Sequence, residues 1–414
     1  MPDTARVRRW AEITGSKMIA TSGPRICHVT TVHPATDTRI FHRECLSLAR
    51  AGYDVHLIAP HPTSQVVRGV HIHRLPRPPG RLARMLIWPW LAYRKVRRLS
   101  PRPVICHLHD PELLPAAQAL RRRGCRVIFD VHENVSDQIL DKRYMPLWVR
   151  RLVSWAYCGV EGALLSGLAT AHVLEAISRR YRPPKVVLRN LLHRPDDADG
   201  PARAPVSGPR RLVYVGEISR DRGALLMIQV VAELARRGVA CTLRLIGPIH
   251  EAGLERTMRR AIALAGLQDA VRLTGRLPYE QAMAEIAAAD VGLCLLAPMP
   301  NYLNSLPTKI LEYMRAGVPV VASDFPCWRP YVTDTGAGVQ APPNEATSVA
   351  DTIQRLLSDP AGMAQMGRRG RQAVATEFCW ENEEPKLLAF YEMLLSGRYD
   401  DAAKPGGSRT PCSK

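Results

Sequence analysis

The chain has 414 residues, of which 46% are hydrophobic, and its 57 Lys and Arg exceed its 38 Asp and Glu to give a formal net charge of +19. This length suits two or three domains with packed cores, and the positive charge favours an anionic partner such as a nucleotide, an anionic membrane or nucleic acid. Ten cysteines are scattered with no pair two residues apart, which argues against structural zinc and against a disulfide framework.

The cysteines and the N-terminus indicate a cytoplasmic protein. Cys27, Cys106 and Cys294 lie in apolar segments, where a free thiol behaves as a small hydrophobe, and a reducing compartment is the simplest explanation. No run of about 18 apolar residues is present, and the arginine-containing N-terminus lacks the apolar core of a signal peptide. We expect residues 1–24 to be a polar extension and residues 397–414 to be a disordered tail.

In the first half of the chain, apolar segments alternate with segments of helical periodicity. The loop Thr30–Arg39, with the sequence T-T-V-H-P-A-T-D-T-R, comes first, and a helix is expected over Ile40–Ala51 because apolar residues recur there at helical spacing up to Gly52. The predicted strands are Arg25–Val32, Asp54–Ala59, Val70–Leu75, Val104–Leu108 and Arg126–Val131.

A second alternating series begins at Leu212. Its predicted strands are Leu212–Val215, Thr242–Ile246, Val271–Thr274, Val291–Leu296 and Val318–Ala322. Strands that alternate with helices indicate a parallel, doubly wound sheet, so the sequence predicts an α/β protein with two such domains. We place the domains at residues 25–192 and 211–379, with a Pro-, Asp- and Ala-rich linker at 193–210.

The segment Asn301–Asp324 combines a loop, a helix and a strand that follow an apolar strand. We expect Asn304 or Ser305 to cap the helix and Pro307 to lie in its first turn. Helix N-termini at the carboxyl end of a parallel strand favour anions such as phosphate. Lys309 adds a positive charge there, and Glu312 lies three residues later on the same side. A capped surface helix with a solvated Lys–Glu pair explains the pattern equally well.

The segment resembles the donor-binding motif of retaining glycosyltransferases of family 4, which have the GT-B fold of two Rossmann-like domains facing a cleft. In that motif two glutamates are separated by seven residues. Glu312 matches the second, which the resemblance implies holds the nucleotide ribose. Asn304 replaces the first, and since an amide both donates and accepts hydrogen bonds, the resemblance implies that it holds the sugar. Ser305, Leu306, Thr308 and Lys309 are implied neighbours of the sugar and the diphosphate.

A second part of the resemblance lies in L-V-Y-V-G-E-I-S-R-D-R-G, residues 212–223. A strand that runs into a glycine and a basic loop before a helix can hold phosphate, although a solvated loop is the simpler explanation. Gly216, Arg222 and Gly223 match the family pattern, with Arg222 in place of a lysine. Glu217 replaces an arginine, which removes one expected phosphate-binding cation. Arg276 lies in the loop that is implied to receive the nucleotide base.

In the first domain, residues 107–112 read H-L-H-D-P-E, and the resemblance implies that His109 contacts the donor sugar. Two histidines and two carboxylates so close together also suit a metal ion, but the sequence places no further ligand, so we expect no metal and no cofactor. Together with the loop Thr30–Arg39, this segment resembles a subgroup of the family. The acceptor-side candidates are His33, Asp37, Arg39, Asp110, Glu112, His132 and Glu133.

Two basic segments contain tryptophans. Arg81–Leu99 includes Trp88 and Trp90, and Tyr144–Tyr157 includes Trp148 and further arginines. Such helices can lie on an anionic membrane with their aromatic rings at the headgroups, which leads to the hypothesis that the protein reaches a lipid-linked acceptor. Helices packed on a sheet with solvated arginines explain the same composition.

The resemblance implies a retaining sugar transferase that uses a nucleotide-diphosphate sugar and a hydroxyl acceptor on a polysaccharide, a glycolipid or a secondary metabolite. It also implies that the helix 380–396 crosses back to the acceptor domain. Arg222 and Lys309 would stabilise the leaving diphosphate without a metal. A sugar-nucleotide epimerase or hydrolase, and a catalytically inactive scaffold, stay open because of Asn304 and Glu217. Nucleic-acid binding is disfavoured, because no helix-turn-helix, zinc knuckle or aromatic stacking platform is apparent.

Overall fold

The computed structural model describes residues 23–131, 135–140, 145–195 and 208–397. The described residues fall into two compact units. The first lies within Met1–Ser136, Arg151–Arg189 and Glu383–Lys414, and the second lies within Asp137–Arg150 and Asn190–Asn382. Each unit is built on its own β-sheet.

Parallel strands form almost the whole sheet of the first unit. Its strands are β1 (Arg25–Val29), β2 (Asp54–Pro60), β3 (Gln65–Val67), β4 (Val70–Leu75), β5 (Ile105–Leu108), β6 (Arg126–Val131), β7 (Ala169–His172) and β8 (Lys185–Val187). They pair in the order β3-β4-β2-β1-β5-β6-β7-β8, with only the described pair β3–β4 antiparallel. The strand order reverses between β1 and β5, where open sheets of this kind bind ligands.

The second sheet repeats this plan. Its strands are β9 (Arg210–Val215), β10 (Cys241–Ile246), β11 (Val271–Gly275), β12 (Val291–Cys294), β13 (Val320–Ser323) and β14 (Gly338–Ala341). Their order is β11-β10-β9-β12-β13-β14, and all the described pairs are parallel. The strand order reverses between β9 and β12, which places the switch point of this sheet at the carboxyl ends of these two strands.

Helices cover the sheets. In chain order they are α1 (Leu46–Arg50), α2 (Arg81–Leu86), α3 (Trp88–Arg98), α4 (Leu114–Arg121), α5 (Val135–Leu140), α6 (Leu147–Leu165), α7 (Glu175–Ser178), α8 (Ala224–Arg236), α9 (Leu254–Leu264), α10 (Tyr279–Ala288), α11 (Pro300–Leu303), α12 (Thr308–Arg315), α13 (Arg329–Val332), α14 (Ala346–Leu357), α15 (Pro360–Thr376) and α16 (Glu384–Ser396). A π-helix, Ile40–Cys45, leads into α1. No helix among the described residues is both long and apolar enough to cross a lipid bilayer.

The predicted strands are all present, but several boundaries and one helix differ. β1 ends at Val29 rather than Val32, because Thr30 and Thr31 turn away to bind the Asp110 carboxylate. The predicted helix over 40–51 begins as the π-helix Ile40–Cys45, whereas the basic segment 81–99 forms two helices, as expected from Pro89, which has no N–H to extend α2. Strands β3, β7, β8 and β14 were not predicted, because three or four residues carry too little periodicity.

Apolar residues from both faces of the second sheet form its core. Tyr214, Met227, Val231, Leu243 and Ile353 belong to one face, and a second cluster contains Ile310, Leu311, Tyr313, Met314 and Trp328. Four of the residues in the second cluster come from α12, so this short helix is held by its whole apolar side. Its first turn is thereby fixed at the carboxyl end of the sheet.

Candidate functional site

The candidate site of the second unit lies at the carboxyl ends of β9 and β12. The loop from Gly216 to Gly223 leaves β9 here, and α12 follows β12 after a short irregular segment. Tyr313 of α12 joins the two strand ends, because its hydroxyl accepts a hydrogen bond from Val215 N at 3.1 Å and donates one to Leu293 O at 3.2 Å. The position of α12 relative to the loop is therefore set by buried hydrogen bonds.

The N-terminus of α12 differs from the sequence prediction. The helix begins at Thr308, and Pro307 is the residue before it rather than part of its first turn. Asn304 and Ser305 do not cap it, because they follow the separate short helix α11 and bond back to it. The exposed Asn304 amide donates to Pro300 O at 3.2 Å, while Ser305 O accepts from the Trp328 indole. No described side chain caps the first turn of α12, and within that turn the Ile310 N–H donates to Pro307 O at 3.1 Å.

Lys309 is the central charge of this site. Its side chain is 6% exposed, and its Nζ atom lies 3.9 Å from the centre of the Tyr214 ring. Among the described residues, Nζ has no hydrogen-bond acceptor. Burial lowers the pKa of Lys309 to about 8, and the nearby Arg222 guanidinium acts in the same direction. A buried ammonium without an acceptor is energetically costly, and an anion at this position would relieve that cost.

Two glycines give the β9 loop its shape. Gly216 has φ +127°, and a β-carbon there would lie 3.0 Å from Lys309 Nζ. Gly223 has φ +76°, and a β-carbon there would lie 2.0 Å from Leu295 O at the end of β12. A side chain at Gly223 would clash with the backbone of β12, whereas at Gly216 the positive φ and the need for Lys309 to shift disfavour one. Both glycines were predicted, and Gly247, whose β-carbon would lie 1.9 Å from Gly216 O, was not.

The structure distinguishes the two arginines of the loop. Arg220 Nε forms an exposed ion pair with Glu251 at 2.6 Å. Arg222 instead lies near the site, where its guanidinium carbon is 5.7 Å from the centre of the Tyr302 ring and Nη2 is 3.3 Å from Glu217 Oε2. Glu217 thus partly neutralises Arg222 in the absence of a ligand. Its side chain is 44% exposed, which leaves it free to move away from an incoming anion.

The remaining donor-side candidates are arranged around Lys309. Glu312 is half-buried on the same helix and is close enough to act electrostatically on the Lys309 ammonium. Ser305, Leu306 and Thr308 are also half-buried. Arg276 is exposed after β11, on the far side of β10 from this cluster.

Several residues of the site were not predicted. Tyr214, Tyr302 and Tyr313 surround the charged groups. In the sequence, Tyr214 is an ordinary member of an apolar strand and Tyr313 an ordinary member of an apolar helix face. A cavity of about 520 Å³ next to β10 was also not predicted. It is lined by Ile249, His250, Glu251, Ala252, Gly253, Glu255, Arg256 and Arg259.

In the first unit, the predicted carboxylates hold the loop that follows β1. Asp110 Oδ2 accepts hydrogen bonds from Thr30 Oγ1 at 2.8 Å and from Thr31 N at 2.6 Å. Glu112 Oε1 accepts from Thr31 Oγ1 at 2.9 Å and pairs with Arg84 Nε at 3.0 Å. These carboxylates therefore join the β1 loop to the β5 loop at the switch point of this sheet.

His33 and Asp37 form a pair within the same loop. His33 Nδ1 lies 3.4 Å from Asp37 Oδ2, and Asp37 Oδ1 accepts hydrogen bonds from the backbone N–H groups of Arg39 and Ile40. Burial alone would raise the pKa of Asp37, but His33 and the two N–H groups together hold it well below its usual range. His33 is about one-third exposed, so among these residues it has a ring that a ligand can reach.

Arg39 and His109 lie in the interior rather than at the surface. Arg39 donates to Asp130 through Nε and Nη2, at 3.0 and 3.1 Å, and to Leu188 O through Nη1. The His109 side chain is fully buried, with Nδ1 3.3 Å from Asp130 Oδ2. His132 and Glu133 lie outside the described residues.

Comparisons with known families match both parts of the chain. The sequence model of the Glycosyl transferases group 1 family matches residues 198–373, and that of the Glycosyl transferase 4-like domain matches residues 38–190. A 2-deoxystreptamine glucosyltransferase from Streptomyces kanamyceticus is 33% identical over 46% of this chain and 47% of its own. The chain thus aligns with about half the length of that relative. A glycogen synthase from Mycobacterium tuberculosis is 25% identical over 83% of this chain and 87% of its own.

Solved structures match almost the entire chain. A sucrose-phosphate synthase from Thermosynechococcus elongatus superposes with a TM-score of 0.72 and 19% identity, covering 90% of this chain and 100% of that one. A protein from Anabaena, HepE, solved in complex with UDP and glucose, superposes with a TM-score of 0.66 and 14% identity, covering 89% and 99%. At these identities the matches establish the fold.

Proposed function

Because this chain belongs to the group 1 glycosyltransferases with a GT-B fold, we propose that it transfers a sugar from a nucleotide-diphosphate sugar to a hydroxyl acceptor. The observation that carries this proposal is the buried Lys309 ammonium, which has no acceptor among the described residues. It lies beside Gly216 and Arg222 at the switch point of the second sheet. UDP in the structurally similar Anabaena protein supports a nucleotide at this kind of fold.

The two cations match the charge of a diphosphate. Lys309 is a point charge held by burial, whereas Arg222 is partly exposed and offers several donors. During transfer, negative charge accumulates on the diphosphate as the bond to the sugar breaks. Cations placed in advance stabilise that charge without reorganisation, which is the largest catalytic contribution in many enzymes. The first-turn N–H groups of α12 and its dipole act in the same direction, so the proposed transfer needs no metal ion.

The remaining donor groups have assigned positions in the proposal. Glu312 binds the ribose hydroxyls, and Asn304 binds the sugar, to which its exposed amide can turn by giving up its bond to Pro300 O. The backbone of Ser305 and Leu306 and the Thr308 hydroxyl approach the sugar and the diphosphate. We assign His109 a supporting role through its buried contacts, and retention of the anomeric configuration follows the family resemblance. His33 is the acceptor-side group most accessible to a ligand.

Thermal stabilisation by nucleotides tests the donor site. Unfolding temperatures are measured with UDP, GDP, dTDP, ADP and their sugar conjugates, with and without magnesium. A ligand that binds the folded state raises the unfolding temperature by an amount set by its concentration relative to Kd. One nucleotide should stabilise the wild type and Arg355→Ala, which removes an exposed cation of α14, but not Lys309→Ala or Glu312→Ala. The absence of a shift for every nucleotide would contradict the proposal and favour an inactive scaffold.

A membrane surface is the proposed source of a lipid-linked acceptor. In α2, Leu82 and Leu86 are each 76% exposed, and in α6 Trp148 and Trp155 are 70% and 73% exposed. Apolar side chains at such exposure are costly in water, and arginines on the same helices complement anionic headgroups. Flotation with anionic liposomes at low salt should recover the wild type, and a Trp148→Ser/Trp155→Ser variant should float less. No flotation of the wild type would contradict this assignment.

A further inference from the structure

Three histidines lie together inside the first unit, at the switch point of its sheet. His28 is on β1, and His107 and His109 are on β5, where His28 and His107 are aligned in register. Side chains two positions apart on a strand share a face, so both β5 rings point to the same side of the sheet. Glu44, from the π-helix, faces them, and all four side chains are fully buried.

The distances among these side chains match a metal site. Glu44 Oε2 lies 3.9 Å from His28 Nδ1, 3.9 Å from His109 Nε2 and 4.0 Å from His107 Nδ1. His28 Nδ1 and His109 Nε2 are 3.0 Å apart. Two ligand atoms on one tetrahedral zinc ion are separated by about 3.3–3.5 Å, given metal–ligand distances of about 2.0–2.2 Å. For these atoms to share one ion, Glu44 Oε2 would move about half an ångström closer to each ring, and the His28 and His109 rings would turn out of their direct N–N contact.

The outer contacts orient the two closest rings. His109 turns its other nitrogen, Nδ1, to Asp130 Oδ2 at 3.3 Å, and Asp130 is held in turn by Arg39. His28 turns its other nitrogen, Nε2, to the Tyr391 hydroxyl at 3.2 Å. Histidines that bind metals usually donate this second N–H to a carboxylate or another oxygen, which leaves the first nitrogen unprotonated for the ion.

Hydrogen bonds within the protein do not account for the whole cluster. They can connect His28, His109, His107 and Tyr391 in one chain, with one tautomer assigned to each ring. Glu44 Oε2 is left out, because it has no hydrogen-bond donor among the described residues. The other oxygen, Oε1, lies 3.2 Å from Arg39 Nε. A cation at this point would stabilise a fully buried carboxylate oxygen that faces three histidine nitrogens without a donor.

We propose that His28 Nδ1, His109 Nε2 and Glu44 Oε2 bind a zinc ion, with His107 Nδ1 at the fourth position, where it would exchange its 2.8 Å hydrogen bond with the Tyr391 hydroxyl for the ion. Nitrogen and carboxylate ligands in a closed tetrahedral arrangement suit zinc, and a closed site is structural rather than catalytic. The ion would hold β1, β5 and the π-helix together, with Tyr391 of α16 in its outer shell. His109 also has the supporting role proposed above, whereas Lys309, Arg222 and the other donor groups lie in the second unit, so metal analysis tests this site independently of donor binding.

This site differs from the sequence expectation of no metal. The segment H-L-H-D-P-E supplies only His107 and His109. His28 and Glu44 lie more than 60 positions earlier in the chain, and only the sheet register and the π-helix bring them to the same point. Asp110 and Glu112, the carboxylates of the segment itself, are used by the β1 loop instead.

Metal analysis of the purified protein tests this proposal without an activity measurement. The untagged wild type is unfolded, refolded with zinc, freed of loosely bound metal by gel filtration with a weak chelator, and analysed by elemental mass spectrometry. One zinc per chain is expected for the wild type, with at least a fivefold loss in His28→Ala and in Glu44→Gln. His71→Ala is the matched control, because it disrupts Asp54, His56 and His71, a more accessible group of possible ligands in the same unit. It should retain the zinc.

A second measurement uses only the wild type, in case the buried variants fail to fold. Cobalt replaces zinc during refolding. Four-coordinate cobalt with nitrogen and oxygen ligands absorbs visible light, and the intensity of this band should stop rising at about one cobalt ion per chain. Metal-free wild type should unfold at a lower temperature than the zinc form. Wild type without zinc or cobalt after this treatment would overturn the proposal and identify the space beside Glu44 as a water site. Loss of zinc in His71→Ala, but not in His28→Ala, would overturn it as well.

Discussion

Replacing Lys309 with Met should stabilise the unliganded protein while it weakens donor binding. In the wild type, burial lowers the pKa of Lys309 from 10.5 to about 8, so the folded state binds this proton less tightly than the unfolded state. At pH values where Lys309 is protonated in both states, this difference lowers the unfolding free energy of the wild type by about 3 kcal/mol. The contact with the Tyr214 ring, worth about 0.5–2 kcal/mol, offsets part of it. Met keeps the length of the side chain and removes the charge, so we expect a net gain of about 1–3 kcal/mol at pH 7.

The pH dependence of this gain is characteristic. Between about pH 8 and pH 10.5 the unfolded wild type holds a proton that the folded wild type has released, so wild-type stability rises with pH across this window. The advantage of Lys309→Met is therefore complete below about pH 8 and should disappear by about pH 10.5. Urea unfolding of both proteins across this range measures it, with Arg355→Met as a control in which an exposed cation is lost.

The same substitution should remove about 2–4 kcal/mol of transition-state stabilisation, because one preorganised cation is lost. The value of kcat/KM for the donor should therefore fall roughly 30- to 1000-fold. A stabilised protein with lower activity is typical of residues that are held in place for function at the expense of stability. A variant with wild-type turnover, or one whose stability difference is the same at every pH, would refute the role assigned to Lys309.

Three further predictions concern the same unit. Glu312→Ala should lower kcat/KM by about 2–4 kcal/mol with little change in unfolding temperature, measured by donor turnover; unchanged turnover would exclude it as a donor ligand. Gly223→Ala should destabilise the protein by clearly more than Gly238→Ala. Both glycines have φ +76°, so both variants carry backbone strain of roughly 1 kcal/mol or more, but nothing lies near a β-carbon at Gly238. The difference between the two variants in urea unfolding therefore measures the steric clash at Gly223. Tyr313→Phe leaves the partly buried Val215 N–H without its acceptor and the Leu293 carbonyl without its buried donor, and it should cost about 1–3 kcal/mol of unfolding free energy. An unchanged midpoint would show that this hydroxyl does not hold α12.

Local patterns in the sequence determined most of the architecture. Apolar runs bounded by glycine and polar residues identified the main strands of both sheets, because a buried strand needs only its own residues to be apolar. The loop, helix and strand around Lys309 and Glu312 are encoded consecutively, but only the family resemblance favoured a donor-binding role over a solvated surface helix. Gly216 and Gly223 were predicted correctly as loop glycines, and the structure adds that a β-carbon at Gly223 would clash with the Leu295 carbonyl.

Tertiary structure decided which of these residues are charged, buried or accessible. The Tyr214 ring, 95 positions earlier, covers the Lys309 ammonium, and His28 on β1 lies beside the buried His109. Arg39 likewise became an internal partner of Asp130. These contacts join residues far apart in the chain, and no local periodicity encodes them. The sequence alone therefore determined the strands, the loops and the residue types at the donor site, whereas packing between distant segments determined their electrostatics and the cluster around Glu44.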